Sequence, residues 1–416
     1  MTKRTDVLVI GGGIIGVACA YFLAKEGNSI RLIEQKRIGN GASSGNLGLL
    51  TPSYALPLNA PGMTLQALKW MLHEDSPVYI KPRFDLPLLH WLLRFAVGCT
   101  RQRMLSIGKI RAGILTDSDM LLEKIIRKEK IQCEWQSEAV FKIFRTETAI
   151  RAYEETNAIL REFGLAGTLL SGRELAGKEP ALREDLAGAY VHSCDSRLNP
   201  AKLLAGWNRV NKRLGVTVEE DCEVTRFEIS GDTIEGVVTS LGRWSAKRYV
   251  LATGAWSSLF QRQLHVRIPV QPGKGYTITM KRPSVCPRHA MIFKERNAAV
   301  TPFEKSYRLG GTLEFSGHNM AVNRVRVEAI LRAAREYLKE PEAEKIEGPW
   351  VGWRPMTFDE LPIIGRSPFH KNFILATGHG MMGVGMSAAT GKIVAALVAD
   401  REPHLDVRPF RPERFL

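Results

Sequence analysis

The chain has 416 residues, 44% of them hydrophobic and 24% charged, which excludes a wholly disordered or fibrous protein and leaves room for two or three domains with large cores. Lys and Arg number 58 against 43 Asp and Glu, a net charge of +15, so the surface attracts anions; without a run of like charges, a zinc-finger spacing or an RNP-like aromatic motif, nucleic acid is set aside as a partner. The six cysteines, Cys19, Cys99, Cys133, Cys194, Cys222 and Cys286, form no CxxC and no Cys/His cluster, which points to a reduced, cytoplasmic chain without disulfides or metal.

Residues 6–34 read as strand, turn, helix and strand: DVLVI is a short buried-strand run, GGGIIG the turn, IIGVACAYFLAKEG the helix and SIRLIE the second strand. The apolar run is too short, and too soon broken by glycine, for a secretory signal. The stretch NGASSGNLGLLTPS (40–53) is too glycine-dense for helix or strand and suggests backbone lying close to a ligand, the alternative being a surface loop. Residues 65–130 follow a helical period, with LQALKWMLH, DLPLLHWLLRFAVG and an amphipathic stretch from Ile107 to Lys130. Strand-like runs then alternate with helices: AVFKIF (139–144), AYVHS (189–193) and GYTITM (275–280) imply a mixed, largely antiparallel sheet. Asn199 and Pro200 open a helix that closes on Gly215, before strands through 251. No window approaches the roughly 18 uninterrupted apolar residues of a spanning helix. LPLLHWLLRFAVG (86–98) has two readings, an inward-packed helix, which is preferred, or an interfacial helix with leucines and tryptophan on lipid while basic surface meets anionic head groups.

Gly11, Gly13 and Gly16 sit between strand and helix. In a dinucleotide fold they permit the tight turn, the approach of backbone to pyrophosphate and the packing of helix on strand, with the helix N-terminus facing the phosphates. Such a triplet alone is weak, but Glu34 ends the next strand at the spacing of about 20 residues that suits a carboxylate on ribose hydroxyls. An acid there disfavours NADP. The choice between NAD and FAD rests on LATGAW (251–256) and on NFILATGHGMMGVGMSAATGKIVAALV (372–398), a strand feeding a glycine-rich turn and a helix.

With these segments the chain resembles the FAD-dependent amine and amino acid oxidoreductases of the D-amino acid oxidase superfamily over nearly its whole length. It is most similar to bacterial D-amino acid dehydrogenases, through NGASSGNLGLL, PLNAPGMTLQALKWML, QPGKGYTITM, GWRPMTFDELPIIG and ATGHGMMGVGMSAATG. The resemblance implies an α/β fold in which a Rossmann-like FAD-binding domain (1–84, 199–262 and 349–416) is interleaved with an α+β substrate domain (85–198 and 263–348). It implies that Gly11, Gly13, Ile15, Gly16 and Glu34 bind the ADP half of FAD, that Ser43, Ser44, Gly45, Asn46 and Gly48 lie along the ribityl chain and flavin ring, and that Val224 contacts the adenine through its backbone. Gly254 and Trp256 would approach from the other side. Gly380, Met381, Met382, Gly383 and Val384 would set a helix N-terminus at the flavin pyrimidine edge, where its N–H donors suit the charge that reduction places there.

An amino acid substrate needs its carboxylate fixed, and the planar fork of Arg binds both oxygens. The resemblance assigns that role to Arg354, the alternative being a structural ion pair. Tyr276 offers a phenolic hydrogen bond or is an ordinary strand aromatic; Arg308 is a weaker substrate candidate whose alternative is to brace the sheet; His379 is either a pocket group or a satisfied structural histidine. Met381 stands where glycine-oxidase-like relatives carry an arginine, which favours a less polar pocket. The implied reaction is oxidative deamination of D-amino acids by hydride transfer from the α-carbon to flavin N5, giving a 2-oxo acid and ammonia, with no catalytic side chain required beyond the flavin. Electrons would pass to a quinone or another non-oxygen acceptor, and peripheral contact with the inner face of the cytoplasmic membrane is left open. Two rivals stand beside this reading: oxidation of a cyclic secondary amine such as D-proline or cis-4-hydroxy-D-proline, and an FAD electron-relay subunit of a hetero-oligomer.

Overall fold

The N-terminal unit folds as its pattern dictates. A computed structural model describes residues 4–71, 76–343 and 348–416, and in it the strand Arg4–Ile10 leads into the helix Ile14–Lys25 and back through the strand Ile30–Ile33. The helix is apolar on nearly every side because it is buried on nearly every side, between its sheet and the helices Pro200–Arg213 and Ser387–Val398. A Cβ on Gly16 would stand 1.8 Å from the Gly11 carbonyl oxygen, and one on Gly391 would stand 2.7 Å from that of Ala18. Both contacts therefore need glycine.

Parallel strands meet in a sheet drawn from three parts of the sequence. Arg4–Ile10 lies between Ile30–Ile33 and Gly242–Leu251; Thr217–Glu219 flanks the former and Phe373–Thr377 flanks the C-terminal half of the latter, all parallel. Val224–Ser230 and Thr233–Thr239 extend the sheet antiparallel from the other half of Gly242–Leu251. The loops after Ile10, Ile33, Leu251 and Thr377 thus leave one edge together, the edge where open α/β sheets bind ligands. The strand carrying LATGAW stops at Leu251, and Gly254–Phe260 is a 3₁₀ helix.

Among the described residues the second sheet has nine strands and is largely antiparallel, with parallel pairs only at Val140–Phe144 beside Ala290–Phe293 and at Val78–Ile80 beside Ser306–Phe315. The mixed α/β architecture is thus as the sequence implies. Two strands depart from the expected segments. Val78–Ile80, expected in the first FAD-binding segment, fills the edge beside Leu313–Phe315. Trp350–Thr357, expected in the third, pairs with Val270–Lys281 along eight residues. Hydrogen bonds place both in the second sheet.

The helix Leu86–Gly98 starts at Asp85, whose carboxylate accepts from the Leu88 N–H. Leu88 and Trp91 are buried against Phe315 and Met356, whereas Leu86, Leu89, Leu93 and Val97 are exposed. Its outward stripe is as apolar as its inward one.

Candidate active site

The strand-end loops of the first sheet and one face of the second enclose a cavity of about 1250 Å³. At its N-terminal end Gly11 has φ +108°, and a Cβ there would lie 2.5 Å from the Ala252 carbonyl oxygen. Glu34 Oε2 accepts from the Gly12 N–H at 2.7 Å and Oε1 from the Lys36 N–H at 3.0 Å. Burial raises the Glu34 pKa against the pull of those bonds. Ser43 Oγ accepts from the Ile14 N–H at 3.0 Å, while the N–H groups of Gly13 and Ile15 meet no protein acceptor among the described residues. Free N–H groups at a helix N-terminus, lining a cavity with a carboxylate that is bonded to the neighbouring Gly12, suit a dinucleotide diphosphate and its ribose.

The loop 40–48 is shaped by Asn46, whose amide donates to the carbonyls of Ala42 and Ser43 while its Oδ1 accepts from the Gly48 N–H. Ser43, Asn46 and Gly48 line the cavity together with Gly11, Gly13, Ile15, Glu34, Val224, Gly254, Trp256 and Gly380 to Val384. Gly16, Ser44 and Gly45 are not in its wall. Gly16 seats the helix; Gly45 accepts from Thr277 Oγ1 at 2.7 Å, and the Trp350 ring fills the space a Cβ would need. Arg308 donates to the carbonyl of Asn46 at 2.6 Å and to Thr279 Oγ1 at 3.0 Å, so it braces this loop onto the second sheet and does not reach the cavity. Tyr276 is likewise turned away: it is buried in the core of the second sheet and donates to Glu314.

Arg354 and His379 are the substrate candidates that do line the cavity. Arg354 Nη1 donates to the Thr312 carbonyl at 2.8 Å. Arg354 is half-buried in the cavity wall, and desolvation draws its pKa down to about 10. None of the described carboxylates pairs with it. His379 Nε2 lies 3.0 Å from Thr390 Oγ1, whose own hydrogen goes to the Met386 carbonyl. The ring therefore carries its proton on Nε2, and burial holds it neutral, with a pKa lowered to about 3. The N–H groups of Met381, Gly383 and Val384, just before the helix Ser387–Val398, meet no protein acceptor among the described residues.

Sequence reading missed several cavity residues. Thr312 and His318 lie in no local motif, and Trp353 and Glu360 stand beside Arg354 in GWRPMTFDELPIIG without a signal that sets them apart. Trp353 packs edge-on against Trp256 with ring centres 5.4 Å apart, and His318 lies beside both. Glu360 forms a buried ion pair with Arg111 at 2.9 Å. Glu34, His379 and Glu360 are thus all engaged by protein. Arg354 lines the cavity with no carboxylate partner among the described residues.

The family model of FAD dependent oxidoreductases matches residues 6–397. The chain belongs to the FAD dependent oxidoreductases. This oxidoreductase is 30% identical over 422 residues to D-amino acid dehydrogenase 1 of Mesorhizobium japonicum, covering 99% of this chain and 100% of that one. It is 30% identical over 410 residues to the D-amino acid dehydrogenase of Chromohalobacter salexigens, covering 96% and 97%. Among solved structures, glycine oxidase from Geobacillus kaustophilus superposes with a TM-score of 0.79 at 24% identity over all of both chains. L-proline dehydrogenase from P. horikoshii does so with 0.73 at 20% identity, covering 100% of this chain and 98% of that one.

FAD is the cofactor of this oxidoreductase, and the cavity fits it. Its volume exceeds the usual 300–1,000 Å³ range of a small-molecule pocket. Unpartnered N–H groups stand at Gly13 and Ile15 and again at Met381, Gly383 and Val384, the two places where a dinucleotide with an electron-poor ring needs donors. Bound there, FAD supplies a two-electron acceptor.

Proposed function

We propose that the oxidoreductase oxidises D-amino acids to 2-oxo acids and ammonia and passes the electrons to a quinone or another non-oxygen acceptor. The observation that carries the amino acid reading is Arg354, a desolvated cation without a carboxylate partner in the wall of the FAD cavity. A buried charge is costly unless paired, and the substrate carboxylate supplies the missing partner through two parallel N–H···O bonds. Holding that carboxylate fixes the α-carbon and the direction of its hydrogen. His379 stays neutral, and Glu360 is held by Arg111; the chain contributes orientation and exclusion of water, and the amine enters unprotonated. Leu58, Met63, Ala67, Leu92, Phe95 and Phe315 line the same cavity, which favours apolar side chains over glycine. The D configuration is supported by the names of the curated relatives.

The acceptor reading draws on the outward face of Leu86–Gly98. Leu68 and Leu93 are exposed and also line the cavity, so apolar surface runs from its mouth onto the outside, where Lys69, Lys81 and Arg94 are exposed as well. Such a face suits peripheral contact with an anionic bilayer, from which a lipophilic quinone would arrive. Among the described residues no helix is long and apolar enough to cross a membrane.

The test is the visible spectrum of the FAD-loaded protein under anaerobic conditions, with D-alanine, D-phenylalanine, D-proline, cis-4-hydroxy-D-proline, glycine and the L-enantiomers added in turn. Bleaching by primary D-amino acids with release of ammonia is expected. Bleaching by the cyclic amines alone would replace this reading with secondary-amine oxidation, and a spectrum that no amine changes would replace it with an electron-relay role.

A further inference from the structure

Two residues to which the sequence assigns no role converge on the Arg354 guanidinium. The first is Gly275, on the strand Val270–Lys281 beside Trp350–Thr357. A Cβ at Gly275 would stand 2.2 Å from Arg354 Nη1 and 2.5 Å from both Cζ and Nη2, so the guanidinium lies flat on that backbone in space any side chain would take. The second is Thr312, whose carbonyl receives the Arg354 Nη1 bond at 2.8 Å. Thr312 has φ +61°, a left-handed conformation that a β-branched residue rarely adopts. Its hydroxyl is buried without a protein partner.

The register explains how that conformation arises. Tyr276 pairs with Gly311 and Lys274 with Glu314, so three steps on the strand Ser306–Phe315 answer two on its neighbour. This is a β-bulge centred on Thr312 and Leu313, at the point where the strand exchanges its partner Ala298–Pro302 for Val78–Ile80. A bulge that leaves a threonine strained and its hydroxyl unmet gains the threonine nothing locally. What it achieves is a carbonyl turned out of the ladder toward Arg354.

We propose that Gly275 and Thr312 are positioning residues that form a seat for Arg354, Gly275 by leaving the plane vacant and Thr312 by fixing one corner of the fork, so that the remaining N–H groups face the substrate carboxylate. This rests on the carboxylate-binding reading of Arg354. The test is calorimetric binding of benzoate, a carboxylate without an α-hydrogen to lose, and of its neutral isostere benzamide, to the FAD-loaded wild type, Gly275→Ala, Arg354→Ala and the double variant. The expected result is that Gly275→Ala weakens benzoate on the order of tenfold or more, leaves benzamide within about twofold and, in the Arg354→Ala background, changes benzoate binding no further. Gly275→Ala is also expected to lower the unfolding midpoint of the wild type but not that of Arg354→Ala, where the space is vacated; the comparison holds even if the single variant folds poorly. An unchanged benzoate affinity in Gly275→Ala, or an equal loss for benzamide or in the Arg354→Ala background, would overturn the seat. Normal benzoate binding by Arg354→Ala alone would overturn the reading of Arg354 itself, and the seat with it.

Discussion

Tyr276 donates its phenolic hydrogen to Glu314 Oε2 at 2.8 Å, and Oε1 of the same carboxylate lies 2.8 Å from Lys274 Nζ. Lys274 also donates to the carbonyls of Asn319 and Ala321, and the Asn323 N–H donates to the Tyr276 oxygen at 3.3 Å. The three side chains thus tie segment 317–323, which brings His318, Met320 and Val322 to the cavity, onto the second sheet. Tyr276→Phe removes one donor from a buried carboxylate, at an expected cost of about 1–2 kcal/mol in denaturant unfolding. Because the phenol is not in the cavity, KM for amino acids is expected to move by less than about threefold; a rise of a hundredfold would return Tyr276 to the substrate site.

Arg354 makes the opposite prediction. Replacing it with methionine keeps most of the length and removes a desolvated cation with no carboxylate partner. Unfolding free energy is expected to rise by about 1–2 kcal/mol while amino acid binding collapses. Urea unfolding of the FAD-loaded variant checks this, and a loss of stability of the same size would mean that the arginine serves the fold.

His379 governs a pH effect. Its folded pKa is lowered to about 3 by burial, against about 6.5 in an unfolded chain. Below about pH 6.5 the unfolded state takes up a proton that the native ring refuses, so its contribution falls as pH drops toward 3, by at most about 1.4 kcal/mol per pH unit. His379→Gln retains an N–H donor for Thr390 and cannot titrate. The stability difference between wild type and variant is therefore expected to shift in favour of the variant across that window and to be flat above pH 7. A difference independent of pH would show that the ring protonates freely in the native state.

The apolar stripe on Leu86–Gly98 is tested with Leu86→Glu and Leu89→Glu together, two exposed positions outside the cavity wall. Wild type is expected to sediment with vesicles containing anionic lipid, and the variant to lose on the order of tenfold in that partition while its reaction with a soluble dye is unchanged. Equal sedimentation of both proteins would assign the stripe elsewhere.

Much of the nucleotide end was legible because its signals are local. Gly11, Gly13, Gly16 and Glu34 lie within one strand, helix and strand unit, where period and spacing act over a few residues. The substrate end depends on register. Whether Arg308 faces a pocket or a loop is decided by where Asn46 lies across the sheet, 262 residues away in sequence, and the partner of Tyr276 is 38 residues off. The bulge at Thr312 follows from a mismatch between two strands that neither reveals alone. Leu86–Gly98 shows the limit of hydropathy differently: with leucine on both faces, no periodicity says which one the core takes.

The parallel sheet has a consequence for how the protein is made. Its strands come from residues 4–33, 217–251 and 363–377, and the helix Ser387–Val398 closes onto Ile14–Lys25 through the glycine contact at Gly391. The glycine turn leaves the ribosome well before the wall that completes its pocket. Until Phe373–Thr377 emerges, the C-terminal end of Gly242–Leu251 lacks its neighbour on that side, and the nascent chain carries an open strand edge. Capture of the cofactor is thereby deferred until this strand has been made, and a chain cut short before residue 373 would lack it and be left for chaperones or proteases.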